Sequence, residues 1–267
     1  MLNVPSGDAV MFAEEQGSGP PLVLLHPFPA NHKFWHPVVP QLAQRYRVLM
    51  PDLRGSGEST AGEGPATMAK HAADIDRICA AAGVNKAVFV GVSISGYVLF
   101  EFWRRHAARV AGLVLCDTRA TPDTPEGRAA RLKSVTEVQL HGPAAFVAGM
   151  APKLLGETTR KNRPDVVRAA MAILNESTVA GITALQSGMG ERPDSVPTQK
   201  TINVPTLVMV GEEDTLTPPA DAEQMHQGIA GSKLVKVPAA GHFSPFEQPE
   251  LVGKELRKFL DELQRWE

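Results

Sequence analysis

Apolar positions along this chain fall into two kinds of run. Short continuous stretches recur: Pro21-Leu22-Val23-Leu24-Leu25, Tyr46-Arg47-Val48-Leu49-Met50, Ala87-Val88-Phe89-Val90, residues 110–115, Thr206-Leu207-Val208-Met209-Val210 and Leu234-Val235-Lys236-Val237. Runs of this length with little polar alternation suit strands covered on both faces. Between them the spacing turns helical. Residues 68–82 put Ile75, Ile78, Cys79 and Ala82 on one face, and from about Pro249 a stripe of Val252, Leu256, Phe259 and Leu263 does the same. A shorter helix is expected around 38–44. The residues before Ser18 read as a β-hairpin turning at Ser6-Gly7-Asp8.

Strands alternating with helices predict an α/β fold with a mostly parallel central sheet and helices on both faces. The alternation stops between Arg119 and Lys200, where residues 128–140, 143–155, 164–174 and 177–189 read as helices. The expected organisation is a core domain of residues 1–118 and 201–267, with a helical cap, 119–200, inserted after the strand ending near Asp117. The cap helices carry Val138, Leu140, Phe146, Met150, Leu154, Met171, Leu174, Leu185 and Met189. Most of these are expected to pack cap against core, and a few to line a pocket.

Composition narrows the picture. The 267 residues, 43% hydrophobic and 21% charged, suit one large globular domain with an insertion. A net charge of -2 without a basic run argues against nucleic acid as a partner. No apolar run reaches the roughly 18 residues that span a bilayer. Met1-Leu2-Asn3-Val4-Pro5 lacks the pattern of a signal peptide, so a cytoplasmic protein without a membrane partner is expected. Cys79 and Cys116 lie among apolar neighbours and are expected as buried free thiols.

Ligands of such sheets bind beyond the carboxyl ends of the strands. Phe28, Asp52, Ser93, Asp117, Asp214 and His242 all follow strands. Gly91-Val92-Ser93-Ile94-Ser95 is a variant of the G-x-S-x-G elbow, with small residues two positions either side of Ser93. Ser95 is the poorer nucleophile, because Tyr97 would fill a slot that needs a small side chain. A serine hydroxyl needs a base, and the base needs a partner that fixes its tautomer. His242, in Ala240-Gly241-His242-Phe243, is the base candidate. Asp214 is the acid candidate, in the chain order nucleophile, acid, histidine. Asp117 is the alternative acid, or a brace where the cap begins. Glu212, Glu213, His32 and His36 are expected in solvent, and His26 as a structural residue of its loop. No H-E-x-x-H helix or comparable ligand cluster is visible, so no metal is expected. The oxyanion donors are the amides of Ile94 and Phe28, the latter held between Pro27 and Pro29, which have no amide hydrogen. Leu216, Phe243, Met150 and Leu185 are the substrate-binding candidates, giving a mostly apolar acyl pocket. No basic cluster stands out that would fix a carboxylate, although Arg54 and the cap arginines leave the point open.

Five ordered motifs carry a resemblance. They are Leu25-His26-Pro27-Phe28-Pro29, the loop Asp52-Leu53-Arg54-Gly55-Ser56-Gly57-Glu58-Ser59, Gly91-Val92-Ser93-Ile94-Ser95-Gly96, Gly211-Glu212-Glu213-Asp214 with Thr217-Pro218, and Ala240-Gly241-His242. Together they resemble the α/β-hydrolase superfamily over nearly the whole chain. Within it the chain is similar to small bacterial carboxylesterases and lactonases, including the 3-oxoadipate enol-lactonase group. The resemblance implies a Ser-Asp-His triad, no cofactor, and a small ester or lactone as partner. Pro27 and Ser95 stand where the family usually has glycine. The expected activity is serine-dependent cleavage of carboxylic esters, with acyl-lactones among the candidates. An enol-lactonase, a C–C bond hydrolase or a perhydrolase would use the same triad. A ligand-binding receptor with this fold is the non-enzymatic alternative.

Overall fold

The computed structural model describes residues 1–263. Eight strands form one sheet: β1 (Leu2–Ser6), β2 (Ala9–Gln16), β3 (Pro21–Leu25), β4 (Arg47–Pro51), β5 (Ala87–Val92), β6 (Val110–Cys116), β7 (Thr206–Gly211) and β8 (Lys233–Val237). Their spatial order is β1-β2-β4-β3-β5-β6-β7-β8. The hairpin β1–β2 is antiparallel and adds to β4 antiparallel; the pairings from β4 through β8 are parallel.

The helices are α1 (Val39–Leu42), α2 (Met68–Ala81), α3 (Ile94–His106), α4 (Pro125–Leu154), α5 (Glu157–Asn162), α6 (Pro164–Leu174), α7 (Val179–Gly190), α8 (Val196–Gln199), α9 (Pro219–Gly228), α10 (Ser244–Glu247) and α11 (Pro249–Glu262). α4 through α8 form the helical insertion between β6 and β7. Gly142, at φ 79°, breaks α4 into two helices, and the next residue is Pro143. Leu140 is 70% exposed, on the same face of α4 as the exposed Leu132, against the expectation that it packs on the core.

Alternation along the strands sorts the core into two layers. Val23, Leu25, Phe89, Leu113, Leu115, Val208 and Val210 pack on one face with Ile75, Ile78 and Cys79 of α2 and Val98, Leu99 and Phe102 of α3. Leu22, Leu24, Val88, Val90, Val114, Leu207 and Met209 pack on the other with Val39 and Leu42 of α1 and Val252, Leu256, Phe259 and Leu260 of α11. Each such side chain contributes about 1.5–3 kcal/mol by leaving water. Truncating one, Phe89→Ala for instance, would cost about 3–5 kcal/mol. In α11, Leu260 completes the buried stripe, and Leu263 lies just past the helix end, partly buried. Cys79 and Cys116 are buried free thiols. No helix among the described residues is long and apolar enough to cross a membrane. Because β3, β5, β6, β7 and β8 run parallel, their carboxyl ends share one edge of the sheet, and the chemistry-bearing loops gather there.

Candidate active site

Ser93 sits between β5 and α3 with φ 58° and ψ −117°, a backbone conformation that L-residues rarely adopt. The turn closes tightly. A Cβ on Gly91 would lie 2.8 Å from the Ser95 carbonyl, so glycine is required there. Ser93 N donates to Cys116 O at 3.0 Å, and Thr118 Oγ1 donates to Ser93 O at 2.7 Å, tying the bend to the end of β6. Ser95 is fully buried and donates to the carbonyl of His26 at 2.5 Å.

His242 follows β8 in a loop clamped on both sides. Glu247 accepts from Gly241 N and Gly156 N, each at 2.8 Å, and Phe243 N donates to Leu154 O at 3.0 Å. Burial pushes the Glu247 carboxyl above its ordinary range, against the donors it accepts from. The His242 Nδ1 bonds Asp214 Oδ2 at 2.8 Å. Asp214 also accepts from Leu216 N at 2.8 Å, Thr217 N at 3.0 Å and Thr217 Oγ1 at 2.6 Å. Burial raises its carboxyl, but the His242 and Thr217 contacts outweigh that and hold it below the usual carboxylate range. Asp214, and not Asp117, therefore meets the imidazole. Asp117 is fully buried and accepts from Gly211 N at 2.7 Å and Ser244 Oγ at 2.5 Å. Burial, with the charge of Asp214 nearby, pushes its carboxyl well up.

Ser93 and His242 line one cavity of about 180 Å³. With Nδ1 engaged by Asp214, Nε2 is the ring nitrogen left for that cavity. The hydrogen-bonded chain Thr217–Asp214–His242 does not extend to the Ser93 hydroxyl among the described residues. Such contacts are often long before substrate arrives. Phe28 lines the same cavity, its ring edge-on to Phe146 of α4 at 5.8 Å between centroids. Ile94 opens α3, where first-turn amides have no carbonyl to meet within the helix. His26 organises the Phe28 loop. Its Nε2 accepts from Leu53 N at 2.9 Å, so Nδ1 carries the proton and donates to Pro27 O at 2.9 Å.

The remaining lining departs from the sequence expectation. Leu216 and Met150 line the cavity, whereas Leu185 lines a separate small pocket and Phe243 packs on Phe34. The lining also holds Arg119, Asp123, Arg131 and Arg192, which sequence reasoning did not single out. Arg54 is elsewhere, buried on Asp74 and Asp8. A second, more open cavity of about 480 Å³ shares Met150, Gln186 and Leu216 with the first. Glu213 is only partly exposed and accepts from Thr158 N at 2.8 Å, so it is not simply solvated. His32 is buried, with Nδ1 2.9 Å from Asp52. With Glu14 and His36 it offers three ligand-type atoms within 4.8 Å of one another, but none of the three lines the Ser93 cavity.

Comparison with known proteins follows the same outline. Residues 20–249 match a family model described as alpha/beta hydrolase fold. A solved thermophilic esterase from Thermogutta terrifontis, with malate bound, superposes with a TM-score of 0.95 at 37% identity, covering 99% of each chain. The enol-lactonase from Burkholderia xenovorans LB400 gives a TM-score of 0.91 at 25% identity, over 98% of this chain and 100% of that one. The 3-oxoadipate enol-lactonase 1 of Acinetobacter baylyi is 27% identical over 233 residues, 87% of this chain and 85% of its own length.

Proposed function

The chain belongs to the alpha/beta-hydrolase family, and we propose that it hydrolyses small carboxylic esters, lactones included, through Ser93, His242 and Asp214. The observation that carries this reading is the 2.8 Å bond to Asp214 from His242, which lines the same cavity as the strained Ser93. The similarity to an esterase and to enol-lactonases supports the same reaction class.

His242 Nε2 takes the Ser93 proton as Oγ attacks the ester carbonyl. Asp214 keeps the Nδ1–H tautomer and stabilises the imidazolium. The amides of Ile94 and Phe28 receive the oxyanion, each worth about 3 kcal/mol in the transition state. His242 then protonates the departing alkoxide, leaving an acyl-serine. Water, deprotonated by the same imidazole, releases the acid. With a lactone the alkoxide stays attached, and the product is a hydroxy acid. The helices of residues 119–200 act in this reading as a cap over a core of 1–118 and 201–267. The smaller cavity receives the group beside the carbonyl, and the open lobe between the halves of α4 receives what extends beyond.

The test is hydrolysis of p-nitrophenyl acetate and butyrate and of a γ-lactone, with covalent trapping by a fluorophosphonate. Turnover is expected to vanish in Ser93→Ala, and the trapped adduct to map to the peptide containing Ser93. Wild-type turnover in that variant would overturn the assignment.

A further inference from the structure

Three of the side chains lining the Ser93 cavity are guanidinium groups, and one, Asp123, is a carboxylate. Arg131 and Arg192 share Asp123. Arg192 Nη1 lies 2.7 Å from Asp123 Oδ1, and Arg131 Nε pairs with Oδ2. Burial acts to raise the Asp123 carboxyl, but the two arginines outweigh it and hold the group ionised. Arg119 is matched by Asp221 at 3.1 Å, and that carboxylate does not line the cavity. Positive charge facing the cavity therefore exceeds negative.

The arginines are also held in place. The Arg192 side chain is 3% exposed and lies 4.3 Å over the ring of Tyr97, one turn into α3 from Ser93. It donates to Met189 O and Thr121 O, each at 3.2 Å. Arg131 donates to Gln186 Oε1 at 2.9 Å. Arg119 donates to the carbonyl of Leu216. Yet Nε of Arg192 and Nε of Arg119 are buried without a hydrogen-bond partner among the described residues. A clamp built for stability alone would match each guanidinium with its own carboxylate, since an uncompensated buried charge is costly. A surplus of fixed donors beside a reacting carbonyl is instead the arrangement that recognises an anion.

We propose that the substrate is an ester or lactone bearing a carboxylate, and that Arg131, Arg192 and Arg119 form the subsite that receives it. The proposal rests on the serine-hydrolase reading for the chemistry and on the arginines for the selectivity. It replaces the apolar pocket expected from the sequence.

The experiment compares matched pairs differing by one charge. Monomethyl against dimethyl glutarate places the carboxylate on the acyl side. Acetoxyacetate against its methyl ester places it on the alcohol side. In at least one pair the anionic member is expected to have the higher kcat/KM, and that pair locates the charge. In Arg131→Gln the anionic-to-neutral ratio is expected to fall about thirtyfold or more, with Arg131→Lys recovering part of it. Preference for the neutral ester in both pairs, or an unchanged ratio in folded Arg131→Gln, would overturn the proposal. Should Arg131→Gln fail to fold, calorimetry of glutarate on Ser93→Ala protein decides, with saturable binding weakened by salt expected and no binding counting against. Calorimetry also separates the two readings. Ser93→Ala that still hydrolyses ester sinks the nucleophile assignment, whereas an inactive Ser93→Ala that ignores glutarate sinks the anion subsite alone.

Discussion

Ser95 Oγ donates a 2.5 Å hydrogen bond to the backbone carbonyl of His26. The bond joins the helix start behind Ser93 to the loop that carries Phe28. Glycine at this position could make no such tie. The serine in the elbow thus couples the two segments that offer the proposed oxyanion donors.

Removing that tie in Ser95→Ala leaves the buried His26 carbonyl short of a partner, at a cost of about 1–3 kcal/mol. For a chain of this size the melting temperature is expected to fall by about 2–10 °C. The kinetic effect should be selective, since small misplacements of catalytic groups reduce rate strongly. About a tenfold loss in kcat with KM nearly constant is expected from steady-state assays on p-nitrophenyl acetate. An unchanged kcat would mean that the Phe28 loop holds its position without Ser95.

Asp117 and Asp214 both follow strands, and their surroundings separate them. Asp214→Asn is expected to lower kcat by about 10⁴, because the wrong imidazole tautomer is then favoured. Asp117→Asn should keep most activity, since the amide can still accept from Gly211 N. Stability against pH should diverge as well. Asp117 titrates higher in the folded chain than in the unfolded one, so its contribution is fully present below about pH 3.9. It is lost as pH rises towards the folded value. Chemical denaturation from pH 4 to 8 should therefore show a smaller decline for Asp117→Asn than for wild type.

Much of the fold is legible because buried parallel strands write themselves as short apolar runs. Pro21–Leu25 and Thr206–Gly211 are visible for that reason, as is the position of Ser93, Asp214 and His242 at strand ends. Contacts between distant polar side chains leave no such trace. His32 spaced four from His36 looks solvated until the fold brings Asp52 to its Nδ1. Arg131 on α4 and Arg192 beyond α7 read as ordinary helix-surface charges, and they converge on Asp123 only through packing of the insertion. Leu140 misleads because it is apolar yet lies on the outward face of α4, eight residues after the exposed Leu132.

Gly241 and Gly156 touch backbone to backbone where the His242 loop meets the insertion. A Cβ on Gly241 would lie 2.4 Å from Gly156 N, a contact that only a backbone shift relieves. Gly241→Ala is expected to cost about 1–3 kcal/mol in stability, as overpacking does. Because the neighbouring residue is His242, kcat should fall by about a hundredfold or more. Chemical denaturation and steady-state kinetics on one preparation check both. Wild-type activity would mean that the loop can shift without carrying the imidazole along.

Thr217 offers the last test. Its hydroxyl donates to Asp214 Oδ2 at 2.6 Å and lies 3.2 Å from His242 Nδ1. Thr217→Val keeps the shape and removes the donor. A hydrogen bond to a charged acceptor is worth about 1.5–3 kcal/mol, so kcat should drop about tenfold or more, and Thr217→Ser should restore most of it. The pH profile gives the sharper readout. A donor that favours the ionised carboxylate lowers its pKa, and its loss raises it. The loss of activity at low pH that follows protonation of Asp214 should therefore begin at higher pH in Thr217→Val and return in Thr217→Ser. The stability that a depressed Asp214 contributes is present above about pH 3.9 and lost as pH falls through the folded value. Acid unfolding of the variant should accordingly begin at higher pH. A residue that merely filled space would lower the melting temperature and leave both pH transitions where they stand in the wild type.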